Sequence, residues 1–459
     1  MPPERVDLSV IEDWKESQDL VSAAELVSAS FSANDPDTGR DAAHLIIKSG
    51  IGGMAEDLAR KLVGEIRAGN FRDGLQGHDW VRGMRHMTRM NPQNPIAWVD
   101  LALAYTVRGK TKSAERSLRV ALSLAPDNRF VLRSIVRFYI HQNRYGEAMH
   151  LLRGREITSH DPWMMATEIA ASEAAGKRSK LIKKGVEILR HDRFPPSHIS
   201  ELASEVGTIE YRYGGIRKAK RLVKNSLKQP TENAVAQASW LARQDRQFDL
   251  DGIIARGPES PEALAWKAWR EGNWEDVATF ANQWFNDQPF SIRPALLATC
   301  VMCDVLGTND KVIELGLKSL LANPDHPILL NNIAFAYASS GQTEKAWHYF
   351  NRINASKLKE DGALPTYFAT KGFIMLKAGS VAEGSQHYER AIAIANERKH
   401  KFIVVVATSF YAMELAKFDR EKAKKLLKDV AGVKINTGDP GSNLLADDIR
   451  KRATELVEG

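Results

Sequence analysis

The sequence predicts an all-α fold, an α-solenoid of about nine antiparallel helix pairs. Two observations lead there. A pattern of small, aromatic and turn-forming residues starts at 95, 129 and 163, and again at 259, 293 and 327, mostly 34 residues apart. Within each unit the apolar residues recur at three- and four-residue intervals, the period of a helix. Composition sets the bounds. The chain is 43% apolar and 26% charged, enough to bury a core and too apolar for wholesale disorder. Its length alone suggests about three globular domains. The repeats replace that expectation with one continuous stack.

Residues 1–90 show helical spacing over Ile11 to Phe31, Thr38 to Ile51 and Met54 to Ala68. The stretch HDWVRGMRHMTRM then reads as the second helix of an incomplete pair. This segment is expected to be a divergent helical N-terminal cap. The solenoid proper is expected over 91–430. Its clearest unit opens at Pro95, with Trp98, Leu101, Ala102, Tyr105 and Gly109, followed by Ala114, Leu118, Ala121 and Pro126. Thirty-four residues on, Ile135, Tyr139, Ala148 and Leu152 hold the same register. Ile169, Ala170 and Gly176 continue it more weakly, since Glu173 fills the aromatic slot.

The phase then slips. A helix pair near 198–229 carries Tyr211, Gly214, Ala219 and Val223, and residues 231–258 are the most degenerate. Register returns with Trp266, Trp269, Gly272, Ala278 and Pro289, then with Gly307 and Pro324. It is strong at Ile333, Ala334, Tyr337, Gly341, Ala346 and Phe350. Gly372, Gly379, Tyr388 and Ala391 mark another pair, and Tyr411, Ala423 and Leu427 a last one. Residues 431–459 are expected to form a turn-rich linker and a short C-terminal helix from Leu444 to Val457.

Each position has a physical reason. Alanines such as Ala102, Ala114 and Ala121 let the two helices of a pair approach closely. Tyr105, Tyr337 and Phe350 fill the gap to the next pair. Gly109 and Gly341 allow the left-handed residue that ends a first helix. A single pair cannot bury its apolar face, so stacking is obligatory.

The pattern resembles the tetratricopeptide repeat, best at 95–162 and 293–395, with Ala102 in a glycine slot and Leu118 in a phenylalanine slot. The resemblance implies a right-handed superhelix whose first helices line a concave groove for peptides or partner helices. By register, the groove-facing side chains are Ile96, Val99 and Leu103 in the first strong unit. In the later units they are Leu297, Val301, Ile328, Asn331, Phe335, Phe373 and Leu376. This surface is largely apolar. Val99, Leu103 and Phe335 stand where carboxylate-clamping members of the family carry polar groups, which argues against such a clamp here. An apolar groove suits an amphipathic partner helix. The alternative is self-occupation, by the tail helix or the N-terminal cap.

Charge is uneven along the chain. The whole carries +7, but residues 91–230 carry +12 between a −4 segment (1–90) and a −6 segment (231–330). Lys177, Lys180 and Lys184 form one cationic stripe, and Arg217, Arg221, Lys224 and Lys228 a second at helical spacing. Three readings stay open for this basic face: a solvated surface, a site for an acidic protein, or a site for nucleic-acid phosphates. Aromatic residues for base stacking are few, Tyr211 and Tyr213 alone lying close.

Motifs of catalysis are absent from the sequence: no phosphate loop, no G-x-S-x-G elbow, no H-E-x-x-H helix and no kinase set. Cys300 and Cys303 form a C-x-x-C inside an apolar helix, with no further Cys to complete a zinc site. They read as core residues, as do Trp266 and Trp269; Trp274 and Trp284 stay open between core and a ligand-binding aromatic surface. No enzyme activity, metal or cofactor is expected. The first residues carry acids where a secretory leader needs a basic start and an apolar run, and no stretch nears ~20 apolar residues. A cytoplasmic scaffold or adaptor binding another protein is therefore expected, for which an accessory subunit of a prokaryotic multi-protein system fits. The alternative is nucleic-acid or acidic-partner binding through the basic face. An uncapped apolar end would pair with a second copy, making a homodimer a further alternative.

Overall fold

The computed structural model describes residues 6, 8–32, 35–50, 53–63, 78–191, 194–245, 248, 260–355, 358 and 363–459. All regular structure among them is helical, with no strand. The chain divides into two compact units, Met1–Arg82 and Gly83–Gly459.

The first unit holds α1 (Leu8–Ser17), α2 (Leu20–Ser32), α3 (Pro36–Ser49) and α4 (Gly53–Leu62). Its core gathers Leu26, Val27, Ala42, Ala43, Ile46 and Ala59. The single helix expected from Ile11 to Phe31 is two. Gln18 takes a left-handed conformation (φ 45°). Asp19 then caps α2, its Oδ1 accepting from the backbone N–H groups of Val21 and Ser22. An acid that satisfies orphan donors at a helix start outweighs the continuous apolar period across it. The expected helix from Met54 runs as α4, and its end toward Ala68 lies outside the described residues.

The second unit begins within α5 (His78–Met90) and continues as stacked pairs. These are α6/α7 (Pro95–Val107, Thr111–Leu124), α8/α9 (Arg129–His141, Tyr145–Leu152), a short α10 (Glu156–His160), α11/α12 (Pro162–Ala174, Ile182–Ile188) and α13/α14 (Pro196–Tyr213, Ile216–Ser226). Then come α15 (Glu232–Gln244) and α16/α17 (Pro261–Glu271, Trp274–Asp287). Next is α18 (Ile292–Val301), which winds on as a π turn over Met302–Leu306 and pairs with α19 (Asn309–Ala322). The last pairs are α20/α21 (Pro327–Ser339, Thr343–Phe350), α22/α23 (Leu364–Lys377, Val381–Glu397) and α24/α25 (Lys401–Leu415, Arg420–Ala431), before α26 (Pro440–Glu458).

The first helices start where the repeat phase puts them, for local reasons. A capping side chain followed by proline opens α6 (Asn94-Pro95), α11 (Asp161-Pro162), α16 (Ser260-Pro261) and α20 (His326-Pro327). The cap satisfies an orphan N–H, and proline at the first helical position lacks the N–H that would be orphaned. Between the helices of a pair the turn residue is left-handed at Gly109, Gly272, Gly307, Gly341 and Gly379, and at Asn143 where no glycine is present; Lys399, in the turn from α23 to the next pair, is left-handed as well. Ala102, Ala114, Ala121, Tyr105, Tyr337 and Phe350 are all buried; Phe350 stacks on Tyr367 of the next pair at 4.6 Å, and Tyr337 on Tyr349 of its own pair at 5.4 Å.

Two long-range contacts curve the stack of the second unit back on itself. α6 packs against α19, and the His141 ring meets Phe290 edge-on at 5.5 Å. Farther along, α26 returns from the last pair to α16 and to the π turn. Asp439 receives bonds from Arg243 Nη2 at 2.7 Å and from Trp269 Nε1 at 3.1 Å. Asp448 receives one from Trp274 Nε1 at 2.7 Å. Leu445 and Ile449 sink into the core that holds Trp269 and Trp274. All four tryptophans of that cluster are buried, Trp284 at 1% exposure.

Candidate functional site

The first helices of the pairs α8 to α24 form a concave wall, and two adjoining cavities lie on it. The first, about 480 Å³, is lined from α8, α11, α13, α15, α16 and α18 and is densely charged. Arg133 pairs with Glu201 and its guanidinium stacks over Trp163. Arg212 pairs with Glu173. Arg293 pairs with Glu262 and lies over the Trp284 ring. Gln237 links Ser204 and Thr208. Two charged groups stand outside these pairs. Arg137 faces the cavity; burial and the neighbouring Arg133 guanidinium disfavour its charge, while Glu201 and Glu232 favour it. Burial raises the Glu205 carboxyl to about 7, against the Gln237 amide.

The second cavity, about 550 Å³, is apolar and continues along the wall from α15 to α24, sharing Trp240 and Arg293 with the first. Its lining includes Trp266, Leu297, Ile328, Phe335, Phe402, Val406 and Phe410. Phe335 stacks on Phe373 at 4.2 Å and meets Phe410 edge-on at 5.4 Å. Ile328, 40% exposed, opens the apolar surface to solvent. No residue of α26 lines this space, so the tail helix braces the wall and leaves the cavity itself unfilled.

Of the residues expected to face a groove, the structure brings Leu297, Ile328, Asn331 and Phe335 together on this cavity. Val301, Phe373 and Leu376 lie beneath it as buried core. Phe373 supports Phe335 from behind. In α6, Val99 is buried while Ile96 and Leu103 are half-buried, and none of the three lines either cavity. α6 packs instead against α19.

The C-x-x-C splits in role. Cys303 is buried and donates to the Asn332 carbonyl. Cys300 is half-buried on the cavity wall and donates to Asp304 at 3.4 Å. Burial pushes both thiols well above their ordinary value, the reverse of a reactive cysteine. Among the described residues no group of three His, Cys, Asp or Glu side chains is placed to hold a metal.

The basic residues sit on second helices, α12 and α14, on the turn before α12 and, for Lys228, just past the end of α14. Lys177, Lys180, Arg217, Arg221, Lys224 and Lys228 are exposed and Lys184 is half-buried. Ala219, Leu222, Val223 and Ser226 anchor α14 from its inner face. Arg221, Lys224 and Lys228, with Arg190, rim a cleft of about 1200 Å³ floored by Val186, Leu189, Ile199, Leu222 and Leu227.

Arg133, Arg137, Glu201, Glu205 and Asp304 carry no motif, yet they set the electrostatics of the wall. Their signal is an ionisable residue recurring inside an apolar helix, as in FVLRSIVRFYI and LLATCVMCDVL. A charge held on the inner face of a helix needs a partner or a cavity.

First helices start at 95, 129 and 162 and at 261, 292 and 327, 31 to 35 residues apart within each run, so the fold is a solenoid of antiparallel helix pairs with nearly the period expected from the sequence. Similar solved structures include the yeast Tom70 crystal structure, at 12% identity and TM-score 0.31 over 95% of this chain and 96% of that one. The Naa15/Naa10 structure bound to HypK-THB matches at 14% identity and TM-score 0.27, over 93% and 70% of the two chains. The Cut9–Hcn1 hetero-tetramer of APC/C matches at 10% and 0.27, over 85% and 86%. No protein-family model and no curated protein matches the sequence. Among the described residues no helix is long and apolar enough to cross a membrane.

Proposed function

We propose that the chain is a non-catalytic, cytoplasmic scaffold or adaptor that holds an amphipathic helix of another protein in the apolar part of its concave wall. The carrying observation is the cavity around Phe335, where exposed and half-buried apolar side chains from α18, α20 and α24 converge and the chain's own tail helix stays outside. Affinity in such a site comes from apolar area removed from water, at about 25 cal/mol per Å², and is read through several side-chain anchors. Phe335→Asp places a charge among Phe373 and Phe410. The variant should lose at least about tenfold in partner affinity while keeping its helical circular dichroism. The check is affinity capture from the native host, followed by titration of the captured protein's helical segment against both forms. Equal binding by wild type and variant would overturn the reading.

A second reading, an acidic protein or nucleic acid on the basic face, is favoured by one observation. Arg190, Arg221, Lys224 and Lys228 rim a cleft and make no ion pair among the described residues. Reversing Arg217, Arg221 and Lys224 to glutamate should then abolish binding of a single-stranded RNA or a polyglutamate peptide. Before reversal, that binding should weaken steeply with added salt. Salt-independent binding, or none, removes this reading.

A further inference from the structure

The apolar cavity contains two hydrogen-bond acceptors that lack adequate donors. Asp304 lies in the π turn that ends α18, and π turns concentrate at functional sites. Among the described residues its carboxylate receives only the weak Cys300 thiol donor, at 3.4 Å. Asn331 is 8% exposed on α20, and its side-chain oxygen has no partner. Both residues line the same space.

The two arginines on this wall and Asn332 are already engaged. Arg243 is bound to Asp439 and covers Trp266. Arg293 is bound to Glu262. Asn332 donates to Thr299 at 3.0 Å. Asp304 is the one carboxylate among the lining residues, and burial raises it to about 6, leaving it mostly ionised at neutral pH. A half-buried carboxylate without a cation among the described residues and a buried amide oxygen without a donor each cost free energy until something supplies the missing protons.

We propose that the cavity takes a basic side chain, a lysine ammonium or arginine guanidinium carried among the apolar residues of the partner helix, with Asp304 and Asn331 as its acceptors. This rests on the reading of the apolar cavity as a helix-binding site. An acidic anchor would repel Asp304, and a purely apolar one would seal both acceptors away unsatisfied. A cation with several N–H donors satisfies both, and the charged pair gains strength from the apolar surroundings.

The test uses three fluorescein-labelled helical peptides of about five turns, identical in their leucine and phenylalanine face. Their central residue on that face is lysine, norleucine or glutamate. Anisotropy titrations are run on the full chain, on Asp304→Asn and on Phe335→Asp. The lysine peptide should bind wild type at least about tenfold more tightly than the norleucine peptide, and the glutamate peptide most weakly. Asp304→Asn, close to isosteric, should erase the lysine advantage and leave norleucine binding unchanged. Equal affinity of lysine and norleucine peptides for wild type overturns the proposal, as does a lysine advantage that survives in Asp304→Asn. If all three peptides bind wild type alike and Phe335→Asp releases them, the groove stands and its cation preference falls. If none binds, both fall.

Discussion

Gly441→Val should cost the second unit at least about 3 kcal/mol. Gly441 opens α26 directly on Trp269, and a Cβ there would overlap the indole ring and the Trp269 carbonyl oxygen. The obstacle includes backbone, so rotamer changes cannot relieve it. The start of α26 must move. With it go the bonds from Arg243 and Trp269 to Asp439 and the seating of Leu445 and Ile449 in the tryptophan core. Each of those two aliphatic side chains contributes about 1.5–3 kcal/mol when fully buried. Gly432→Ala is the matched control, since a Cβ there meets open space. Urea denaturation followed by tryptophan fluorescence reads the difference, because Trp269 and Trp274 sit at the contact. Equal midpoints for the two variants would refute the account of α26 as a structural brace.

Glu205→Gln should stabilise the protein at pH 8 and leave it unchanged at pH 4. Burial holds the Glu205 carboxyl at about 7 in the fold, against an ordinary value of 4.5. Below 4.5 the group is protonated whether the chain is folded or unfolded, so it costs nothing. Between 4.5 and 7 the unfolded chain releases the proton and the folded one keeps it, so stability falls as pH rises. Above 7 the full penalty is present. At 1.36 kcal/mol per pH unit this amounts to about 3 kcal/mol. Glutamine keeps the shape and the hydrogen-bonding capacity without the charge. The measurement is a pair of urea midpoints at each pH. A gain of the same size at both pH values would show that packing, and not ionisation, is responsible.

The parts of the fold written in short-range chemistry are legible in the sequence. Cap, proline, alanine contact and left-handed turn all lie within one 34-residue unit, so register could be read unit by unit. The break at Asp19 shows the limit even there, since one capping carboxylate divided a continuous apolar pattern. The groove was legible only in part. Register correctly separates first helices from second, but which first-helix residue faces a cavity depends on how the pairs curve. Phe335 and Phe373 occupy similar slots, yet one lines the space and the other lies behind it. That curvature is fixed by α6 against α19 and by α26 against α16, contacts between segments far apart in sequence. No local pattern announces them.

The return of α26 also bears on how the molecule deforms. An open helical stack behaves as a spring: each junction yields slightly, and its radius breathes. Here residues 170 apart are tied, Trp269 to Asp439, so the C-terminal pairs close into a hoop. A hoop cannot widen by small shares at every junction. It must first let go at the knot, and until then the apolar cavity keeps one bore. The partner helix proposed for this cavity would therefore meet a site whose shape is already set, and the ordering cost of binding would fall chiefly on that helix.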